Sequence, residues 1–272
     1  NLPENRVQIW NFLDYGTEMV AVERNGSYTR IYDATDPTSP SELSTIISSG
    51  GFAYRSGDLL FVTTKFGDIY GSIVFRIVDL SDRSSPTEVV AYEIGVDDDY
   101  NDAVRKLAVY GDYVYLTNVP NNGLVVYDVS NPSAITSVDS IVNYGENVHV
   151  NTDHLVLFGD DAMDVYTNSV GSINLEASTT FTDVTFETFD QYSAFVTDES
   201  AAGFTMVVAN GSQLKKIVYN AGTQDFTVSS IEIAGGFTVR NFYMDDQRIY
   251  LFDLTGGAET LRIIDRAVLA HF

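Results

Sequence analysis

Cysteine is absent from the 272 residues, which excludes disulfides, thiolate metal centres and a cysteine nucleophile together. Lysine is scarce: Lys65, Lys106, Lys215 and Lys216 join 11 Arg against 26 Asp and 12 Glu, for a net charge of −23. So anionic a surface repels phosphate backbones and anionic lipid, which disfavours nucleic-acid and membrane-surface roles and favours cationic partners or divalent metal. Histidine occurs only as His149, His154 and His271, too few for a His-rich metal centre once cysteine is missing. No stretch approaches the roughly 18 uninterrupted apolar residues that span a bilayer, so no membrane insertion is expected. No amphipathic segment of 3.6-residue period reaches helix length either, so an α/β reading lacks its helices.

What the chain does have is apolar and aromatic material, 44% hydrophobic residues with 17 Tyr and 16 Phe, enough to offset chain entropy in a folded protein. Its length would allow two domains, but all-β domains commonly run this long as one, and a single domain over 1–272 is expected. A unit recurs along it: an apolar strand ending in Asp or a near equivalent, then a polar turn. The unit reads TRIYDATDPTSP from Thr29, FRIVDLSDRSSP from Phe75 and VVYDVSNPS from Val125, with looser copies from Met163, Lys215 and Leu261. The turn positions Asp33, Asp79, Asp128, Thr167, Asn220 and Asp265 are 46, 49, 39, 53 and 45 residues apart. A second strand precedes each copy, as in EMVAVE from Glu18, DLLFVTT from Asp58 and FTMVVAN from Phe204.

Further short strand-like runs bring each unit to about four strands, with turn signals at the spacing of short antiparallel strands. Four short strands repeated at about 45 residues mark a β-propeller, here of about six four-stranded antiparallel blades, with five or seven as the neighbouring counts. The Asp residues after the third strand have a local task, because their side chains bond nearby backbone amides in Asx turns. Val7 to Phe12 reads as an inner strand and Val268 to Phe272 as an outer one, so each blade is consecutive in sequence. Trp10 and Phe272 are then expected to be buried where the first and last blades pack.

RIYDATDP, RIVDLSD and VVYDVSNPS resemble the LVIVD-type repeat of bacterial and archaeal propellers. That resemblance implies an extracellular or cell-surface location and brings little chemistry with it. The opening NLPENRVQIW has neither the basic region nor the apolar run of a signal peptide, and a secreted chain whose leader has been removed is the expectation.

The best metal candidate is VDDDYND, where Asp97, Asp99 and Asn101 fall at the D-x-D-x-N spacing that presents oxygen ligands to calcium in a turn, with Asp102 as a fourth. The Gly at the sixth position and the distal Glu of an EF-hand are missing, and a solvated acidic loop is the plainer alternative. Asp160, Asp161 and Asp164 suit a hairpin turn, as do Asp245 and Asp246 before Arg248. His149, on NVHV with Glu146 near in sequence, reads as a packed or solvent-facing residue before a general base. No G-x-S-x-G elbow and no phosphate-cradling glycine pattern occurs, and the sequons at Asn25 and Asn210 are turn dipeptides. No catalytic residue is assigned.

A non-enzymatic binding or scaffolding module outside the cell or on its surface is therefore expected, with a protein or surface glycan as partner. Its candidate loops are Lys65 to Gly71, Asp97 to Asp102 and Asn118 to Gly123. The alternative is a metal- or carboxylate-dependent hydrolase or lyase with its site at the mouth of the propeller channel, an analogy at the level of fold.

Overall fold

Runs of β-branched and aromatic residues broken by Gly, Asp and Asn become strands and turns, and the computed structural model places them in six antiparallel sheets. It describes residues 9–14, 18–23, 28–36, 39–47, 53–65, 71–97, 106–119, 123–142, 147–184, 186, 194–233, 239, 241–244, 247–253 and 260–271. Sheet 1 is β1 (Ile9–Asp14), β2 (Glu18–Glu23), β3 (Tyr28–Asp33) and β4 (Ser41–Ile47). Sheet 2 is β5 (Ala53–Ser56), β6 (Leu59–Lys65), β7 (Gly71–Asp79) and β8 (Thr87–Asp97), and sheet 3 is β9 (Leu107–Tyr110), β10 (Tyr113–Val119), β11 (Gly123–Asp128) and β12 (Thr136–Ile141). Sheet 4 is β13 (Asn147–Val150), β14 (His154–Gly159), β15 (Ala162–Thr167) and β16 (Leu175–Thr180), and sheet 5 is β17 (Ala194–Ser200), β18 (Gly203–Asn210), β19 (Gln213–Asn220) and β20 (Asp225–Glu232). Sheet 6 has three strands among the described residues: β21 (Asn241–Met244), β22 (Arg248–Asp253) and β23 (Thr260–Asp265).

Every sheet keeps its strands in chain order, so each is a simple meander. The chain divides into two compact units, residues 1–148 with sheets 1 to 3 and residues 149–272 with sheets 4 to 6, β13 straddling the division.

Within each unit the sheets stack face to face, and the period-2 alternation of side chains assigns successive residues to different neighbours. In β6, Leu60 and Val62 join the core shared with sheet 1 while Phe61 joins that shared with sheet 3. In β18, Phe204, Met206 and Val208 pack toward sheet 4, and Val207 and Ala209 toward sheet 6. Central strands buried on both faces read as unbroken apolar runs, which explains DLLFVTT and FTMVVAN. Each fully buried Phe, Leu or Ile contributes about 1.5–3 kcal/mol.

The turn acids do what their positions foretell. Asp33 Oδ1 accepts from the Thr35 amide at 2.8 Å and its hydroxyl at 2.6 Å, Asp79 from the Ser81 amide at 2.7 Å, Asp128 from the Ser130 amide at 2.9 Å and Asp265 from the Ala267 amide at 2.8 Å. Asn220 takes the same part for Gly222 at 2.9 Å. These bonds hold the Asp33, Asp79 and Asp128 carboxyls below the ordinary aspartate value, chiefly through the Thr35 hydroxyl for Asp33, the Ser81 amide for Asp79 and the Ser130 side chain for Asp128. A backbone bond repeats beside them. The amide one residue past the turn position donates to the carbonyl just before the unit's second strand or hairpin turn: Leu80 to Asp58, Val129 to Asp112, Asn168 to Asp153, Ala221 to Ala202 and Arg266 to Gln247.

The C-terminal stretch differs from the expected outer strand. Residues Arg266–His271 form a 3-10 helix, with Leu269 buried against Phe242, Ile249 and Leu251. The reason is the repeat's own rhythm. The outer strand starts eight residues after the turn residue in four sheets, at Ser41, Thr87, Thr136 and Leu175 after Asp33, Asp79, Asp128 and Thr167. Residues 266–271 are therefore equivalent to turn residues, and the apolar Val268 and Leu269 among them serve the core beneath the turn. Trp10 lies in β1, and Phe272 lies outside the described residues.

Candidate functional site

Strand β17 carries the polar centre of the second unit. Asp198 and Glu199 are consecutive, so their side chains leave opposite faces of the strand. A register shift between Thr197 and Ser200 accompanies them, and Asp198 has a left-handed φ of 52°. A non-glycine residue held there stores backbone strain, which clusters at binding sites.

On the face toward sheet 4, Glu199 Oε1 lies 2.7 Å from His149 Nε2, with both side chains about 30% exposed. The imidazole N–H is not aligned with that oxygen, so the contact is a close polar approach without hydrogen-bond geometry. Asn151 supports both sides: its Oδ1 accepts from the amides of Asp153 and His154 at 2.9 and 2.7 Å, and its side chain also bonds Glu199. The close contact with His149 foremost holds the Glu199 carboxyl below its ordinary value, against burial that raises it.

Deeper in, His154 is only 3% exposed, with Nδ1 at 3.4 Å from Glu176 Oε2. The rings of Tyr219 and Phe204 stand edge-on to it at 5.6 and 6.1 Å. Tyr219 donates its hydroxyl to Glu176 at 3.3 Å, and burial followed by the Glu176 charge pushes its phenol up to about 12. Among the described residues neither ring nitrogen of His154 makes a hydrogen bond. A histidine oriented by a carboxylate is the geometry of a general base. The structural effect of the His149–Glu199 pair is to tie β13 to β17 and so sheet 4 to sheet 5.

On the opposite face a groove of about 810 Å³ opens between sheets 5 and 6. Its wall from sheet 5 includes Thr197, Asp198 and Lys216; its wall from sheet 6 includes Arg248 and the stretch from Ile263 to Arg266. Lys216 reaches across it, Nζ donating to the Leu269 carbonyl at 3.0 Å. Neighbouring Lys215 faces the other way, 5% exposed, and pairs with Asp183 at 2.9 Å. Three cations thus meet two carboxylates in one groove, in a chain that has only 15 Lys and Arg.

The residues singled out in the sequence fall elsewhere. Asp97 ends β8 opposite Gly71, while Asp99, Asn101 and Asp102 lie outside the described residues, as do Glu146, Asn25, Asp245 and Asp246. So do residues 66–70 and 120–122 of the candidate loops. Asp160 and Asp161 form the two-residue turn between β14 and β15, and Asp164, within β15, accepts from Tyr166 at 3.2 Å. Asn210 likewise ends β18 at a tight turn, with Gly211 at φ 60°. Among the described residues no three His, Asp or Glu side chains converge to hold a metal ion. His149 had been singled out, but its partner Glu199 lies 50 positions on in another repeat, a pairing that no local spacing signals.

Comparison with known proteins agrees with this architecture. The LVIVD repeat model matches residues 73–94 and 103–142, which hold strands of sheets 2 and 3. No curated protein matches the chain. Among solved structures, a functionally unknown protein of Desulfotomaculum acetoxidans is similar with a TM-score of 0.69 at 10% identity, over 96% of this chain and 82% of that one. A putative 6-phosphogluconolactonase of Bacteroides uniformis follows at 0.62 and 9% identity, over 92% and 81% of the two chains. The periplasmic gluconolactonase PpgL of Pseudomonas aeruginosa gives 0.58 and 12% identity, over 93% and 86%. At such identities the likeness speaks to fold alone. The chain is a β-propeller protein that carries LVIVD repeats.

Proposed function

We propose that the chain is a non-enzymatic binding module, working outside the cell or on its surface, that seats a polypeptide in the groove between sheets 5 and 6. The observation that carries this is the groove's lining: Lys216, Arg248 and Arg266 alternate with Asp198 and Asp265 over an apolar floor of Ile264 and Leu269. Closely spaced charges of both signs suit an extended chain with its own polar backbone, and side chains from two stacked sheets form a rigid wall for it. The location rests on the repeat type and on a lysine-poor surface of net charge −23.

Retention of secreted proteins from the producing organism's medium on the immobilised chain tests the assignment. Lys216→Glu together with Arg248→Glu should abolish a saturable retention while leaving the circular dichroism unchanged.

A second activity is favoured by one observation, the His149–Glu199 pair, which has the form of a base and its orienting carboxylate. Its test uses a chromogenic ester and gluconolactone. No turnover above buffer is expected; turnover that His149→Ala removes would overturn the binding-module assignment in favour of a hydrolase.

A further inference from the structure

Strand β14 opens on His154, and Val156 and Phe158, at every second position after it, pack toward sheet 5. The imidazole follows them inward and lies buried against the Phe204 and Tyr219 rings of that sheet. A histidine in a core is ordinarily anchored, because a neutral ring carries one N–H donor and one lone pair and both lose water on burial. His154 is not anchored in this way: neither of its nitrogens makes a hydrogen bond among the described residues. Its Nδ1 stands 3.4 Å from Glu176 Oε2, close enough for attraction between charges but outside hydrogen-bond geometry.

Each element packed around the ring contributes a definite chemistry. From β16 comes Glu176, steadied by the Tyr219 hydroxyl of β19, which donates to it at 3.3 Å. From β17 comes Glu199, whose carboxyl is held low by His149 first and by the charge of His154 as well. His149 of β13 contacts that same carboxylate at 2.7 Å. Strand β15 sets Thr167 opposite His154 and β18 sets Phe204 beside it, and neither titrates. Lys215 shares a face of β19 with Ile217 and Tyr219 by alternation and is held by Asp183 at 2.9 Å. What faces the ring is therefore a pair of acceptors from different sheets, Glu176 from sheet 4 and Glu199 from sheet 5. A neutral ring can offer its one proton to one of them; an imidazolium has a donor for each.

Histidine is also the side chain whose ordinary charge change falls between about pH 5 and 8. We propose that His154 is an acid-operated latch: protonated, its ring bridges Glu176 and Glu199 and draws sheets 4 and 5 together, and loss of the proton releases them. The latch acts within the second unit and does not depend on what the groove binds.

The test reads the ring first. Nitrogen NMR of the folded chain with labelled histidine, its signals assigned through His149→Gln and His271→Gln, should show His154 with two protonated nitrogens at about pH 5.5 and one at about pH 8. Glu176→Gln should move that transition down by about one pH unit or more. Stability is the second readout. The stabilisation is present while the ring is charged and is lost as pH rises and the proton leaves. The melting temperature of wild type minus that of His154→Gln should therefore be about 2–4 °C greater at about pH 5.5 than at about pH 8. The same difference should persist in a His149→Gln background, which separates the latch from the His149–Glu199 contact. Should His154→Gln fail to fold, the NMR of wild type and Glu176→Gln decides alone. A ring that keeps a single protonated nitrogen throughout, or a transition that Glu176→Gln leaves in place, would overturn the latch. So would a stability difference that stays flat, that grows as pH rises, or that disappears with His149.

Discussion

Glu199 is a single residue whose titration should be visible in the stability of the second unit. The close contact with His149 holds its carboxyl below the ordinary 4.5 in the folded chain. A depressed folded value contributes stability that is fully present above about pH 4.5 and is lost as pH falls through the folded value. Wild type should therefore lose thermal stability on the acid side more steeply than Glu199→Gln, by about 0.5–1 kcal/mol for a pair this exposed. Parallel acid limbs in the two melting series would mean that the pair adds nothing. The turn acids allow a sharper contrast. Asp79→Asn keeps an oxygen acceptor for the Ser81 amide, so its melting temperature should stay near wild type, while Asp79→Ala should melt lower. An equal loss in both would point to the charge, not to the Asx bond. The role of Asp79 was legible from its place before a Ser-rich turn, because an Asx bond spans two residues. The Glu199 pairing was not, because it joins the first strands of two different repeats.

At the scale of elements, the strands follow from alternation and the sheets from repetition. The second and third strands of every unit carry the strongest patterns, since burial on both faces forces long apolar runs. The C-terminal stretch deceived for the same reason that it packs: Val268 and Leu269 are apolar because they fill a core beneath a turn, and apolarity alone does not say whether a segment is extended. Leu269→Ala should cost about 2–4 kcal/mol, as it empties a site against Phe242, Ile249 and Leu251. Exposed Ala270 offers the control, and Ala270→Ser should leave the denaturant midpoint in place. Gly203 tests a different constraint. Its φ is 135°, and a Cβ there would stand 2.0 Å from the Tyr219 carbonyl oxygen, so the ladder between β18 and β19 would have to part. Gly203→Ala should lose about 3 kcal/mol or more, and a melting temperature within a degree of wild type would mean that the hairpin relaxes freely.

Over the whole molecule the dominant quantity is charge, 38 acids against 15 bases. Fifteen cations cannot match that excess one to one, and surface pairs such as Arg30 with Glu42 and Arg83 with Asp58 contribute little each. Most carboxylates therefore repel one another without a cation between them. Such self-repulsion destabilises a compact chain, and salt screens it, the Debye length falling from about 30 Å at 0.01 M to about 3 Å at 1 M. Screening also weakens the attractive pairs, so the sign of the response depends on which set is larger, and a net charge of −23 leaves the repulsive set larger. Melting temperature should accordingly rise with sodium chloride between about 0.01 and 0.5 M, most steeply at the low end where the Debye length changes most. Replacing five exposed acids on outer strands by their amides should raise the low-salt melting temperature and flatten the salt dependence together. A melting temperature that falls with salt would show that attractive pairs outweigh the repulsion.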